Sequence, residues 1–311
     1  MSKDKRVYDE SAIAIKAEGL SKSFGKKKAL DGISFTIDSP GITGLLGRNG
    51  AGKTTLMKLI AGHSIKSSGE LLLWGASPLN NLSVRNRLIY SSHDVSYSGG
   101  LTLDTILKDH QSLFPTFEMV FAGRLLDYFN IDTASKYSGI SQGAKSTFNF
   151  VTALSARAPL TMLDEPTLGM DVTVRKVAYE ILLREYNEHP RIFLVSSHLV
   201  SEMENFLDSL ILLDQSELII HKDIDNLRQN IYRLEGAATT LSALTEGKDV
   251  IFRKDSEFKS MAIIYEEACE QIVREADEAD LVLGGLSPED LYVHLSRETK
   301  EGDLACLWQT A

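Results

Sequence analysis

The chain has 311 residues, of which 43% are hydrophobic and 24% charged, so it can bury a sizeable core and wholesale disorder is disfavoured. A formal net charge of −10 disfavours a broadly basic surface, and no nucleic-acid partner is expected. The charge is concentrated late, with 18 acidic and 9 basic residues from Asp225 to Ala311 against 25 and 24 before them. This shift predicts two units, over 1–222 and 223–311, the second one acidic.

Neither a secretion signal nor a membrane span is predicted. The first fifteen residues contain no apolar signal core, and no apolar run approaches the roughly 20 residues that cross a bilayer. The cysteines, Cys269 and Cys306, are far apart and not in a metal-binding spacing, which fits a reducing compartment. We therefore expect a cytoplasmic chain without direct membrane insertion.

The predicted elements alternate between strands and helices. In chain order they are a strand and turn over 7–25, strands over 29–37 and 42–46, a helix from Lys53, strands within 70–92, mostly helix over 102–136, a buried strand over 160–163, a helix over 174–188 and a buried strand over 192–197. This alternation predicts a parallel α/β core. Later, short strands over 231–236, 249–253 and 260–266 and helices near 266–276 and 287–297 predict a small α+β unit.

A glycine-rich loop before Lys53 fits the pattern G-x-x-x-x-G-K-[ST] in full. Glycines let backbone N–H groups wrap a phosphate, and the N-terminus of the following helix adds a favourable dipole. Lys53 is expected to reach the β- and γ-phosphates of ATP, and Thr54 to offer its hydroxyl to Mg²⁺. The predicted nucleotide-binding residues are Gly47, Arg48, Asn49, Gly50, Ala51, Gly52, Lys53, Thr54 and Thr55.

Two acidic residues follow the buried strand over 160–163. Asp164 is placed to support Mg²⁺, usually through its water. Glu165 is placed to polarise the attacking water, as a base or as an orienting group. An acidic turn after a buried strand is the alternative interpretation, and the glycine-rich loop upstream makes it the weaker one. The two elements together indicate ATP hydrolysis.

Over roughly residues 10–222, the order of these motifs resembles the ATP-binding cassette (ABC) family. The resemblance implies an α/β P-loop NTPase core with a helical subdomain at about 95–155, followed by a small C-terminal α+β extension. Phe24, in KSFG, resembles the aromatic residue that stacks on adenine, and a core or loop phenylalanine is its alternative. His198, in VSSH, resembles the catalytic switch histidine that contacts the γ-phosphate.

Two further segments resemble parts of the family that act between subunits. Leu168 to Asp171 resembles the loop that passes between the subunits of a dimer, and a helix cap is the alternative role for Asp171. The family signature LSGGQ has its best match in ISQGA, where Ser141, Gln142 and Gly143 would face the γ-phosphate held by the opposite subunit. Ala144 departs from the signature, and an ordinary turn is the alternative interpretation.

A second departure concerns the glutamine loop of the family. Exporter relatives usually read GYLPQ, whereas this chain reads IYSSH and places His93 at the glutamine position. That glutamine contacts Mg²⁺ or the attacking water, so His93 is a candidate metal contact with a different reach and pH dependence. A surface loop residue without a ligand contact is the alternative.

The resemblance implies that ATP joins two cassettes head to tail, as a homodimer or a heterodimer, and that hydrolysis separates them. The motion would drive separate transmembrane permease subunits, contacted near residues 90–103, at the inner face of the cell membrane. The segments SQGAK and SPEDLYVHLSRE resemble ATPase subunits of bacterial drug, lantibiotic and peptide exporters, so export is expected. Two alternatives stay open: a weakly hydrolysing regulatory cassette in a heterodimer, and a soluble ABC ATPase outside transport.

Overall fold

The computed structural model describes residues 14–98, 100–197, 202–256, 259–266 and 270–295. The chain divides between Lys222 and Asp223 into two compact units. No helix within the described ranges is long and apolar enough to cross a membrane. His198, Cys269 and Cys306 lie outside these ranges.

The first unit contains two sheets. Its strands are β1 (Ile15–Phe24), β2 (Lys27–Ile37), β3 (Gly41–Leu46), β4 (Ser68–Leu73), β5 (Leu88–Ser92), β6 (Leu160–Asp164), β7 (Ile192–Ser197), β8 (Ser209–Asp214) and β9 (Glu217–Asp223). The larger sheet has the order β5-β6-β7-β3-β8-β9, and the four pairs from β5 to β8 are parallel. The predicted parallel α/β core is therefore confirmed.

The smaller sheet, of order β2-β1-β4, is antiparallel. In β2, buried and exposed residues alternate from Gly32 to Ile37, as expected for a strand with one face on the core. By contrast, β3, β6 and β7 are buried along their whole length, as expected for strands covered on both faces. Both sheets share one hydrophobic core, which includes Leu20, Leu45 and Leu194.

Helices connect the strands of the larger sheet. They are α1 (Lys53–Ile60), α2 (Leu82–Arg85), α3 (Leu103–Leu113), α4 (Met119–Tyr128), α5 (Gln142–Ser155) and α6 (Val172–Glu188). Three of them, α3 to α5, stand between β5 and β6 and form the helical segment in which the sequence places a subdomain. Helix α1 begins directly after the glycine-rich loop, so the loop joins the end of β3 to a helix N-terminus.

The second unit has the strand and helix order βαββαβ, with short helices at its start and end. Its elements are α7 (Ile224–Asn230), β10 (Ile231–Gly236), α8 (Ala238–Leu244), β11 (Val250–Lys254), β12 (Ser260–Tyr265), α9 (Glu270–Glu278), β13 (Val282–Gly285) and α10 (Pro288–Leu295). The antiparallel sheet order β11-β12-β10-β13 gives a ferredoxin-like arrangement. Its own core includes Tyr232, Leu234 and Ile264.

A buried ionic network ties α6 to the strands of the large sheet. Oε1 of Glu185 accepts from Nε of Arg157 at 3.0 Å and from Nη1 of Arg191 at 3.1 Å. Arg191 also donates to the carbonyl of Leu154 at 3.0 Å and to the hydroxyl of Thr161 at 3.2 Å. The Glu185 side chain is only 2% exposed, so its charge depends on both arginines for compensation.

We predict that Glu185→Ala destabilises the first unit by about 3–5 kcal/mol, because it removes the buried carboxylate that Arg191 and Arg157 share and leaves Arg157, among the described carboxylates, only its 3.7 Å contact with Glu118. The measurement is the free energy of unfolding from urea denaturation followed by circular dichroism. Glu188→Ala, an exposed change on the same helix, is the control and should shift stability by no more than about 0.5 kcal/mol. Equal shifts in the two variants would contradict the role given to the network.

Candidate nucleotide-binding site

The loop between β3 and α1 contains two glycines, Gly47 and Gly52, that leave no room for a side chain. Gly52 precedes α1 with φ of 112°, in the left-handed region that favours glycine. A Cβ on Gly47 would stand 2.4 Å from the carbonyl oxygen of Leu213, and one on Gly52 would stand 2.5 Å from that of Ala29. The backbone of this loop therefore lies against neighbouring backbone and follows the path of a phosphate cradle.

Lys53, the first residue of α1, is nearly buried and has two partners. Its Nζ donates to the carbonyl oxygen of Gly47 at 2.6 Å and stands 3.6 Å from Oε1 of Glu165. The side chains of Lys53 and Glu165 are 7% and 14% exposed. The ammonium group is thus held at the mouth of the loop, beside the carboxylate predicted to act on water.

Asp164 ends β6 and is fully buried. Its Oδ1 accepts from the hydroxyl of Ser196 at 2.5 Å, and its Oδ2 accepts from the hydroxyl of Tyr90 at 3.0 Å. Burial raises the pKa of Tyr90, and the negative charge of Asp164 raises it further, so the phenol stays protonated and donates. A carboxylate has about four lone-pair sites, so Asp164 keeps acceptor capacity for a metal-bound water.

Glu165 has left-handed backbone geometry, with φ of 49°. For a residue other than glycine this conformation is uncommon and persists only where neighbouring contacts fix it. Its backbone N–H donates to Oγ of Ser196 at 2.9 Å. The turn directs the Glu165 side chain toward Lys53, so that Oε1 of Glu165 stands 3.6 Å from Nζ of Lys53.

His93 lies one residue beyond β5 with its ring half-buried. Its Nε2 is 3.0 Å from Oδ1 of Asp94, while its Nδ1 is buried and has no hydrogen-bond partner among the residues described. A buried nitrogen without a partner costs free energy, and such groups concentrate where a ligand or ion completes the site. His93 also lines the cavity described next, which disfavours the alternative of an uninvolved surface loop residue.

Lys53, Glu165 and His93 line one cavity of about 550 Å³, whereas Asp164 is buried and does not belong to the lining. Its lining comprises Phe24, Lys27, Ala29, Arg48, Asn49, Gly50, Gly52, Lys53, Thr54, Thr55, His93, Glu165 and Leu168. Ten of these thirteen belong to the predicted site; Lys27, Ala29 and Leu168 do not. Phe24 is 57% exposed, so it is not a core residue, and Nζ of Lys22 stands 4.6 Å from its ring centroid. An exposed aromatic face at the rim of the cavity suits stacking on a base.

The predicted signature residues lie outside this lining. Ser141 precedes α5, and its Oγ accepts from the N–H of Ala144 at 3.2 Å. A Cβ on Gly143 would stand 2.7 Å from the carbonyl oxygen of Gly169, so the start of α5 packs closely on the loop that follows Glu165. Gln142 is the first residue of α5.

Asp171 caps α6. Its Oδ1 accepts from the N–H groups of Thr173 and Val174, both at 2.9 Å. The helix-capping role that was the alternative for Asp171 is therefore present, and it does not exclude a further role between subunits.

Ala51 is buried within the cradle, and His198 is outside the described residues.

The residues present fit a nucleoside triphosphate and a divalent cation. A glycine cradle, an ammonium group and a helix N-terminus are the groups that bind phosphates. The hydroxyl of Thr54, the carboxylate of Asp164 and the unpartnered nitrogen of His93 offer hard and borderline donors for the cation. When bound, Mg²⁺ would neutralise charge on the phosphates.

Sequence reasoning did not find Ser196 or Tyr90, which hold Asp164. A signal for Ser196 was available, because polar residues end the apolar strand β7 beside the strand that Asp164 ends. Tyr90 on β5 gave no such signal, since an aromatic residue in a strand is ordinarily explained by packing.

Residues 30–168 match the protein family described as ABC transporter. The chain is 29% identical over 226 residues to the ABC transporter ATP-binding protein YtrB of Bacillus subtilis (strain 168), covering 73% of this chain and 77% of the relative. It is 27% identical over 218 residues to the bacitracin transport ATP-binding protein BcrA of Bacillus licheniformis, covering 69% and 71%. A solved ATP-binding subunit of an ABC transporter superposes with a TM-score of 0.61 at 25% identity, covering 69% of this chain and 92% of that one.

The cradle, the buried aspartate and these similarities agree. The first unit of the chain is an ATPase domain of the ABC transporter family. The family resemblance stated from the motifs is thereby confirmed.

We predict that Gly47→Ala lowers ATPase turnover about 100-fold, because the new Cβ would displace the loop from the carbonyl of Leu213 and misplace the phosphates. Turnover is measured by phosphate release, and binding by titration with a fluorescent ATP analogue. Gly123→Ala on α4, whose Cβ would meet no heavy atom within 4 Å, should keep wild-type turnover. Unimpaired hydrolysis by the Gly47 variant would contradict the cradle.

Proposed function

We propose that this chain binds and hydrolyses ATP, with Mg²⁺, as the motor subunit of a transporter whose membrane-spanning permease subunits are separate chains. The observation that carries the proposal is the approach of Glu165 to Lys53, at 3.6 Å in one cavity with the glycine cradle. A base beside the residue that binds the γ-phosphate is what hydrolysis of that phosphate requires.

Each group has a physical role in this proposal. Lys53 and the N–H groups of the cradle bind the β- and γ-phosphates, so charge that develops in the transition state is stabilised by groups already in place. Asp164 and Thr54 hold the cation, with His93 as an additional contact. Glu165 polarises the attacking water, and Phe24 stacks on adenine. His198 completes the set by the family resemblance.

A second cassette is needed to complete the site. Ser141 and Gly143 lie outside the cavity lining of their own chain, although the resemblance assigns them to the γ-phosphate. Two cassettes placed head to tail would bring the start of α5 from one against the cradle of the other. ATP would then join the two cassettes, as a homodimer or a heterodimer, and hydrolysis would release them.

The similarity to YtrB and BcrA supports a role in transport, and the second of these is named for bacitracin transport. We infer export of a drug or peptide, at the inner face of the cell membrane, with attachment through the permease. A weakly hydrolysing regulatory cassette in a heterodimer is the second candidate, and the specific observation that favours it is His93 at the glutamine position.

The testing experiment is the solution mass of Glu165→Gln, measured by light scattering with and without Mg-ATP. The variant keeps a neutral side chain beside Lys53 but cannot polarise water, so we expect ATP to double the mass and hydrolysis to be lost. Lys53→Ala is the matched variant, and we expect it to stay monomeric because it engages the phosphates weakly.

The outcomes separate the candidates. Turnover by the wild-type chain together with an ATP-dependent dimer supports a self-sufficient cassette. ATP binding without a change in mass would contradict the homodimer and favour a heterodimer with another cassette. Wild-type turnover no greater than that of Glu165→Gln would contradict the proposed motor role.

A second prediction concerns His93. If its imidazole nitrogen contacts the cation, the ratio of Co²⁺- to Mg²⁺-supported hydrolysis should be higher in wild type than in His93→Gln. The reason is that imidazole is a better ligand for the later transition metals than an amide is. The measurement is the ratio of Co²⁺- to Mg²⁺-supported turnover. His189→Gln, which does not line the cavity, is the control, and an unchanged ratio in His93→Gln would remove His93 from the cation site.

A further inference from the structure

Ser196 lies at the centre of the acidic end of the site. It is fully buried on β7, next to β6 in the sheet, and its Cα is the register partner of Asp164. One atom, Oγ, makes two contacts: it donates to Oδ1 of Asp164 at 2.5 Å and accepts from the N–H of Glu165 at 2.9 Å. The single hydroxyl thus joins the residue that supports the cation to the backbone of the residue that activates water.

The two hydrogen bonds constrain different groups: the carboxylate of Asp164 and the backbone of Glu165. The bond to Asp164 fixes the carboxylate orientation, since paired residues on adjacent parallel strands face the same side of the sheet. The bond to Glu165 satisfies a backbone N–H where the chain enters the left-handed region, at φ of 49°. Both bonds use one donor and one acceptor of the same hydroxyl, which is within its capacity.

Burial alone does not explain this arrangement. Ser155, at the end of α5, is also fully buried, but its Oγ has no hydrogen-bond partner among the residues described. A buried serine in this fold therefore need not bond to an acidic residue. The Ser196 contacts are a specific feature of the strand end beside Asp164.

We propose that Ser196 is a positioning residue for hydrolysis, which sets the orientation of both Asp164 and Glu165 through one hydroxyl. The proposal rests on the proposed ATPase function and assigns to Ser196 a role that the motif comparison did not give it. It predicts two separable effects: a weaker hold on the cation through Asp164, and a slower chemical step through Glu165. The cradle, which binds the phosphates, would be unaffected.

Tyr90 provides the comparison within the same site. Its hydroxyl donates to the other oxygen of Asp164 at 3.0 Å, and no hydrogen bond from it to Glu165 is found in the described part of the chain. Tyr90→Phe should therefore weaken the hold on the cation, with a smaller loss of kcat at saturating Mg²⁺ than Ser196→Ala shows. Ser196→Ala should weaken the hold on the cation and also slow the chemical step, because its hydroxyl contacts both acidic residues.

The experiment compares wild type, Ser196→Ala, Ser196→Thr, Tyr90→Phe and the control Ser155→Ala. Three quantities are measured on each full chain: kcat at saturating Mg²⁺, affinity for ATP in EDTA, and affinity for Mn²⁺ in the presence of ATP from its free-ion electron paramagnetic resonance signal. Melting temperature reports folding. Contacts that orient a metal-binding group change affinity or activity by about 10–100-fold when removed.

We expect Ser196→Ala to lower both kcat and Mn²⁺ affinity within that range and to keep the wild-type ATP affinity in EDTA. Ser196→Thr restores the hydroxyl, so its kcat should be close to that of wild type. Wild-type kcat and Mn²⁺ affinity in Ser196→Ala would overturn the proposal. So would equal losses in Ser155→Ala, which would indicate general loosening of the core. If Ser196→Ala does not fold, Ser196→Cys is tested in its place. Its thiol is a weak donor, so kcat and Mn²⁺ affinity should be partly lost, and wild-type values of both would overturn the proposal.

The wild-type chain and Glu165→Gln are assayed in parallel. If wild type does not hydrolyse ATP above Glu165→Gln, the proposed function fails. If wild type hydrolyses and Ser196→Ala does so equally well, only the role of Ser196 fails.

Discussion

The parallel register of three central strands is the constraint on which the site depends. In the sheet, β6 lies beside β7 and β7 lies beside β3, so their carboxyl ends meet at one edge. Asp164 is the register partner of Ser196, and Leu46, the last residue before the glycine loop, is the partner of Ser197. Backbone pairing thus places the glycine loop and the two acidic residues at the same edge, although they are more than a hundred positions apart in sequence. Ligand sites at the carboxyl edge of parallel strands follow from the same geometry.

Within that frame, the charges of the site neutralise one another. Lys53 and Glu165 are almost buried, and a charge removed from water without a partner would be costly. They stand 3.6 Å apart, and Lys53 also has the carbonyl of Gly47. A phosphate that enters the cradle competes with Glu165 for the ammonium group. In the proposed mechanism, binding of the triphosphate would therefore free the Glu165 carboxylate to act on water.

The sequence predicted those parts of the site where only one type of residue can meet the physical requirement of the position. Gly47 and Gly52 are required by close backbone approach. Asp164 ends a fully buried strand and Glu165 follows it, so pattern and chemistry agree. The parallel core followed from the alternation of strands and helices along the chain. The smaller antiparallel sheet was not predicted, because alternation within one strand does not identify its partner, and β4 is distant in sequence from β1, with which it pairs.

Other features depended on tertiary contacts that a linear pattern does not contain. Tyr90 reaches Asp164 across neighbouring strands, and the unpartnered nitrogen of His93 follows from burial in the fold. The second unit was predicted only as short strands and helices. Its ferredoxin-like order requires knowing which strands pair, and β13 was not predicted at all. Its four residues have too weak a periodicity to stand out from a loop.

The departure of the signature from LSGGQ can be judged from the contacts it makes. At Ala144, the group that meets Ser141 is the backbone N–H, which any residue but proline would supply. The close approach of Gly143 to Gly169, by contrast, leaves no room for a Cβ. Ser146 adds a hydrogen bond from its hydroxyl to the carbonyl of Leu168 at 2.6 Å, which braces α5 against the loop after Glu165. The chain thus keeps Gly143, which the packing requires, and departs from the signature at Ala144, whose contact is made by its backbone N–H. The substitution at Ala144 therefore leaves the start of α5 intact.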